Sequence, residues 1–441
     1  MKQTFTRRSA AALALALALG GCAHAPVAPA APPPAALVAE LPAPAFSEDG
    51  LAALEARMAQ YVADGAVKGI ATRLVKDGVV VSEMQAGIRR EADQAPVEDD
   101  TIWRIYSMSK PITGAALLML WEEGAFQLDD PVTKYFPEFE GLTVFKGLGD
   151  AGQPVLAPVS RLPTIRDLMS HTAGFGYGLR GGDHVNDMFR AKEVFRSPDL
   201  AELTTRTASI PLLYEPGETW SYSISVDLQA RLVEILSGQR FSDFLEARLT
   251  GPLGMTDTGF FVPDPDYDRL SDVWGWSEEE GAFAPLQLPG FQFHPDTVAA
   301  ELGGHGLVST MHDYDRFAAM LANGGSLDGV QYLKPETVQM MATNVLPEGV
   351  YVGHDGVSGT NPAGGGFGLN VGVVTDSAAT GVGFPDGAYM WGGAAGTWFW
   401  VDPVNNLYFI GMVQRFGAGG PDLDVRTVSP RLVYDALEPA G

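Results

Sequence analysis

Ser107 and Lys110 stand three residues apart in Ile105-Tyr106-Ser107-Met108-Ser109-Lys110-Pro111, at the head of the apolar run Ile112 to Trp121. Read as a helix, that run puts the hydroxyl at its N-terminus and the amine on the same face. Pro111 suits a first turn, where backbone N–H groups have no intrahelical partner to lose. A serine so placed has two aids to nucleophilic attack, an amine within reach and the positive end of a helix dipole. By itself S-x-x-K equally describes a capping serine beside a solvated lysine. The rest of the chain has to decide.

Two later stretches bear on it. In Pro216-Gly217-Glu218-Thr219-Trp220-Ser221-Tyr222-Ser223-Ile224 a turn leads to a tyrosine just before a helix carrying Leu228, Leu232, Ile235 and Leu236 on one face and closed by Gly238. Taken alone, Tyr222 reads as packing, its hydroxyl tied to the backbone. Trp391-Gly392-Gly393-Ala394-Ala395-Gly396 ends a strand-like run. Bare glycines there let a substrate lie against the backbone and leave N–H groups for an oxyanion, although a bulge or tight turn is the plainer reading. His171, at a helix-to-loop junction, reads as a structural cap rather than a base. The Phe175-Gly176-Tyr177-Gly178 loop suits a pocket border or core equally.

Other chemistries lack their residues. The nearest approach to G-x-S-x-G is Gly356-Val357-Ser358-Gly359, which runs on into Thr360. There is no H-E-x-x-H, His305 and His312 have no carboxylate at metal-site spacing, and no phosphate-binding G-x-x-x-x-G-K-[ST] occurs. The sole cysteine, Cys22, excludes an intrachain disulfide and a CxxC pair.

The elements that must position these residues follow from pattern. Lys2, Arg7 and Arg8 precede the apolar stretch Ala10 to Leu19, too short for the ~20 residues of a membrane span. It ends in Leu19-Gly20-Gly21-Cys22, which resembles a bacterial lipoprotein signal (1–21) with Cys22 as the lipidated residue. An Ala/Pro-rich tether over 22–46 cannot bury a core. The folded domain, 47–441, opens with a helix marked by Leu51, Leu54, Met58 and Tyr61, then a hairpin of Ile70–Val75 and Val79–Met84. Roughly 129–295 reads as short helices and loops with few strands. Strands return in Phe367–Val374, Tyr389–Trp391, Thr397–Val401 and Leu407–Val413, before a helix from about Val428 to Leu437. Strands near both ends predict one antiparallel sheet built from the two chain ends, flanked by helices, with a largely helical insertion beside it. The net charge of -25 argues against nucleic acid and against anionic lipid as partners of the folded body.

The order Ser107-x-x-Lys110, Tyr222-Ser223-Ile224, Trp391-Gly392-Gly393 resembles the serine β-lactamase and penicillin-binding superfamily, in particular its class C-like branch and the family VIII carboxylesterases. Leu168-Met169-Ser170-His171-Thr172-Ala173-Gly174 and Pro252-Leu253-Gly254-Met255 agree with it. The resemblance implies a two-lobe α/β fold, Ser107 as nucleophile, Lys110 and Tyr222 sharing its proton, and Trp391 to Ala394 at the substrate, with the N–H groups of Ser107 and Ala394 on the oxyanion. It implies a small-molecule ester as substrate and no metal or organic cofactor. Ile224 and Trp391 stand where β-lactamases carry an asparagine and a lysine that hold the lactam, which points to esters. The alternatives are a β-lactamase or D-alanyl-D-alanine carboxypeptidase, and a non-catalytic penicillin-binding-like module.

The signal predicts a periplasmic enzyme held in the bacterial envelope, at the outer membrane, only by its lipid. Wild type should fractionate with membranes and Cys22→Ala should not; wild type found wholly soluble in the periplasm would contradict the anchor.

Overall fold

Val79–Gly87 folds back on Gly69–Lys76 through Asp77 and Gly78, both with left-handed backbone (φ 52° and 76°), the geometry of a two-residue hairpin turn. The computed structural model describes residues 45–178, 182–286, 298–353 and 364–438. The signal segment, Cys22, the tether as far as residue 44 and Ser358 lie outside the described residues.

The hairpin completes a seven-stranded sheet in the order Gly365–Phe367, Gly372–Val374, Tyr389–Gly392, Trp398–Asp402, Leu407–Val413, Gly69–Lys76, Val79–Gly87. Every pairing is antiparallel, and the two chain ends meet where Ile70 faces Val413. The two strands that join the ends are buried along their whole length, as central strands covered on both faces should be. One face carries the helices Glu48–Ala63 and Val425–Ala436, packed over Trp398, Trp400 and Phe409. The other carries the helix Met311–Ala322 and an apolar core that continues into the helical lobe through Ile112, Leu117, Leu228 and Phe317. Among the described residues no helix is long and apolar enough to cross a membrane.

Two expectations, one in the sheet and one on a helix, need correction. Phe367–Val374 is not one strand but a hairpin, turning at Asn370 (φ 66°), whose side chain is drawn inward to exchange hydrogen bonds with the buried Gln229 (2.6 and 3.1 Å). The few strands of the insertion form two hairpins, Thr143–Leu148 with Pro154–Pro158 and Trp274–Ser277 with Ala282–Pro285, beside its helices. On the helix Ser225–Ser237, Ile235 faces outward and Val233 is buried instead.

Candidate active site

The helix Ser109–Glu122 is buried from Ser109 to Leu120, the signature of a helix enclosed on all sides. Ser107 does not lie within it but in a single 3₁₀ turn, Tyr106–Met108, just ahead. Tyr106 there has φ 44°, a left-handed conformation that costs a non-glycine residue about 1–3 kcal/mol. Ser109 stabilises the turn: its hydroxyl donates to the Tyr106 carbonyl (2.6 Å) and accepts the N–H of Leu307 (3.1 Å). Thr113 donates to the carbonyl of Gly303 (2.8 Å), so the 303–307 loop is fastened along the same helix.

Lys110 has no exposed surface. Its Nζ lies 3.4 Å from Ser107 Oγ and donates to the carbonyl of Gly304 (2.7 Å) and to the hydroxyl of Tyr177 (3.2 Å). Burial withholds water from the ammonium and lowers its pKa from 10.5 to about 7; the carboxylate of Asp227 pulls the other way. Tyr222 donates to Ser107 Oγ at 2.6 Å, and its ring centre is 4.4 Å from Nζ. Burial raises the phenol's pKa, offset in part by Ser107 and by the Trp391 indole, which is turned toward the hydroxyl without completing a hydrogen bond of normal geometry. At neutral pH the group able to shed its proton is therefore the amine, while the phenol keeps its own.

The Tyr222 ring is held by others, with ring centres of His171, Tyr177, Trp391 and Trp220 at 5.0, 5.3, 5.8 and 6.0 Å. His171 accepts the N–H of Ser223 (3.3 Å) and lies 3.1 Å from its hydroxyl. Burial and the charge of Lys110 hold its pKa well below the usual range. It thus fixes the segment carrying Tyr222, which is the structural role expected of it.

Trp391 is only 6% exposed, edge-on to Phe367 (5.3 Å) as well as against Tyr222. Its ring supports Tyr222, and little of it is left for the substrate contact expected. Gly392 and Gly393 answer a different need. A Cβ on Gly393 would come within 2.3 Å of Thr397 Oγ1 and 2.4 Å of the Ile105 carbonyl, so this turn presses on the segment leading to Ser107. A Cβ on Gly392 would come within 2.7 Å of the Arg426 guanidinium, which donates to the carbonyls of Gly393 (2.6 Å) and Thr397 (3.0 Å). Ala394 is exposed at the tip of the turn. Neither its N–H nor that of Ser107 has a hydrogen-bond acceptor among the described residues, the condition an oxyanion site requires. No group of three or more His, Cys, Asp and Glu among the described residues is arranged to hold a metal ion.

The structure thus brings Ser107, Lys110 and Tyr222 into mutual contact, with the Gly392–Ala394 turn against the same segment. A profile of the beta-lactamase family matches residues 54–428. The chain belongs to that family. Within it, Protein Rv1367c of Mycobacterium tuberculosis is 32% identical over 394 residues, covering 85% of this chain and 96% of the relative. Esterase EstB of Burkholderia gladioli is 30% identical over 387 residues, covering 84% and 92%. Unliganded simvastatin synthase LovD of Aspergillus terreus has the same fold, with a TM-score of 0.74 at 21% identity over 88% of this chain and 98% of that one. This beta-lactamase family member is a serine hydrolase with the two-lobe α/β fold.

Four residues at the site escaped the sequence reading: Asp227, Gly304, Arg426 and, left undecided there, Tyr177. Asp227 carried no clear signal, because an acidic residue in the first turn of a helix is commonplace. Arg426 carried none, since it reaches the turn from the last helix.

The Gly393 contact makes a prediction. Gly393→Ala must push the turn away from the Ser107 segment, so ester hydrolysis should lose about 10²–10³ in kcat while the protein still melts cooperatively. Wild-type kcat would show that the turn's closeness to Ser107 does not matter.

Proposed function

We propose that the protein cleaves uncharged carboxylic esters through an acyl-enzyme on Ser107. The observation that carries this reading is the complete burial of Lys110 beside a serine hydroxyl that already accepts a hydrogen bond from Tyr222. Neutral Lys110 takes the Ser107 proton as Oγ bonds to the ester carbonyl carbon. The N–H groups of Ser107 and Ala394 receive the oxyanion. The bond to the alcohol then breaks, and that oxygen takes a proton from Tyr222, which is refilled from Lys110. Water repeats the sequence to release the acid; an alcohol in its place gives acyl transfer.

Preference for esters over β-lactams rests on what the site lacks. Penicillins and cephalosporins carry a carboxylate, and a charge-assisted hydrogen bond to it is worth about 1.5–3 kcal/mol, roughly ten- to a hundredfold. Trp391 offers no cation, and Ile224 is fully buried and offers no amide. The name of EstB, an esterase, supports the same choice.

Purified protein and Ser107→Ala should be compared on a short-chain nitrophenyl ester and a chromogenic cephalosporin. The ester should be the better substrate by at least tenfold in kcat/KM, a charge-assisted bond's share, with Ser107→Ala inactive on both. A cephalosporin turned over as well as the ester would replace the esterase by a β-lactamase. Undiminished Ser107→Ala would remove Ser107 from the chemistry.

A further inference from the structure

Asp227 is an anomaly that ester cleavage as described leaves unused. It is completely buried in the first turn of the helix Ser225–Ser237. One carboxylate oxygen accepts the N–H of Gly304 (3.0 Å), and the other has no hydrogen-bond partner. A buried unsatisfied carboxylate oxygen is costly and is rarely kept without a task. What surrounds it suggests one. The same Gly304 whose N–H points at Asp227 turns its carbonyl to Lys110 Nζ, so one glycine bridges the two charges. Nothing larger fits: a Cβ on Gly304 would stand 2.8 and 3.1 Å from the Asp227 oxygens and 3.0 Å from the Tyr177 hydroxyl.

We infer that Asp227 is the counter-charge of Lys110, a positioning residue that acts across Gly304 to stabilise the ammonium formed when Ser107 gives up its proton. The inference rests on the reading of Lys110 as base. Every other titratable group facing this pocket is neutral or turned elsewhere. His171 and His305 have their pKa values lowered by burial and by Lys110, the latter to about 3. Tyr177 and Tyr222 have theirs raised by burial and then by Asp227 itself. Arg426 is engaged by the carbonyls of Gly393 and Thr397. Asp227 is thus the anion that acts on Lys110: burial lowers the amine's pKa, and Asp227 limits the fall. In turn burial raises the pKa of Asp227 and Lys110 lowers it. Without the carboxylate the amine would be neutral over a wider pH range but too weak a base to draw a serine proton efficiently.

The test is the pH profile of nitrophenyl ester hydrolysis by wild type and Asp227→Asn, which keeps an acceptor for Gly304 while removing the charge. Wild-type kcat/KM should rise with pH as Lys110 loses its proton. In Asp227→Asn that limb should move to lower pH by about one unit, with the plateau kcat down about tenfold. A carboxylate that only fills space would lower activity or stability and leave the limb where it was, and an unmoved or upward-shifted limb overturns the inference. If Asp227→Asn does not fold, carbon NMR of γ-labelled aspartate in wild type and Lys110→Met supplies the reading: loss of the amine should raise the Asp227 midpoint, and an unchanged midpoint overturns the inference. Active Ser107→Ala protein would instead remove the esterase reading on which this one stands.

Discussion

The structure depends on keeping one amine out of water. Lys110 has no solvent-exposed surface, and the environment that replaces its hydration is sparse: one backbone carbonyl, one phenol, one distant carboxylate and the serine oxygen. An ammonium is poorly served there, whereas a neutral amine is accommodated. Burying lysine is expensive for the fold, and the surroundings show how that cost is met. The helix that carries it is buried on every side, the 303–307 loop is stitched to it by Ser109 and Thr113, and Gly304 is small enough to put a carbonyl against Nζ.

The same constraint organises the two lobes. The sheet delivers the Gly392–Gly393 turn to the serine segment, and only glycine lets the backbones meet there. The helical lobe delivers Tyr222, locked by His171 and the surrounding rings, and Asp227 one turn later on the following helix. The strained φ of Tyr106 is affordable because the hydrogen bonds of Ser109 and the Ile105–Leu307 pairing over-determine the turn. Nucleophile, amine and phenol are thus each held in place by hydrogen bonds and packing around them, as catalytic constellations require.

Much of this was legible in the chain. Strand-like runs near both chain ends and the hairpin after the first helix marked the sheet, and its closure by the two ends followed from where the strands fall. The order of Ser107 with Lys110, Tyr222 and Trp391 placed the candidate site on three separate stretches that the fold brings together. What escaped is long-range. The break at Asn370 comes from a partner, Gln229, 141 residues away, and Phe367–Val374 looks like a strand without it. Ile235 and Val233 lie on either side of the helix stripe, and only packing decides between them. Trp391 looked like a substrate platform because sequence cannot show that Phe367 and Tyr222 already cover it. Arg426 was invisible because its meaning lies in two carbonyls of another element.

The central claim, that burial makes Lys110 a neutral amine near physiological pH, is open to direct observation. Protein with ε-carbon-labelled lysine can be titrated by carbon NMR, with Lys110→Met identifying the signal. One lysine should titrate at about 7. All lysines titrating together near ~10.4, the ordinary value, would contradict it.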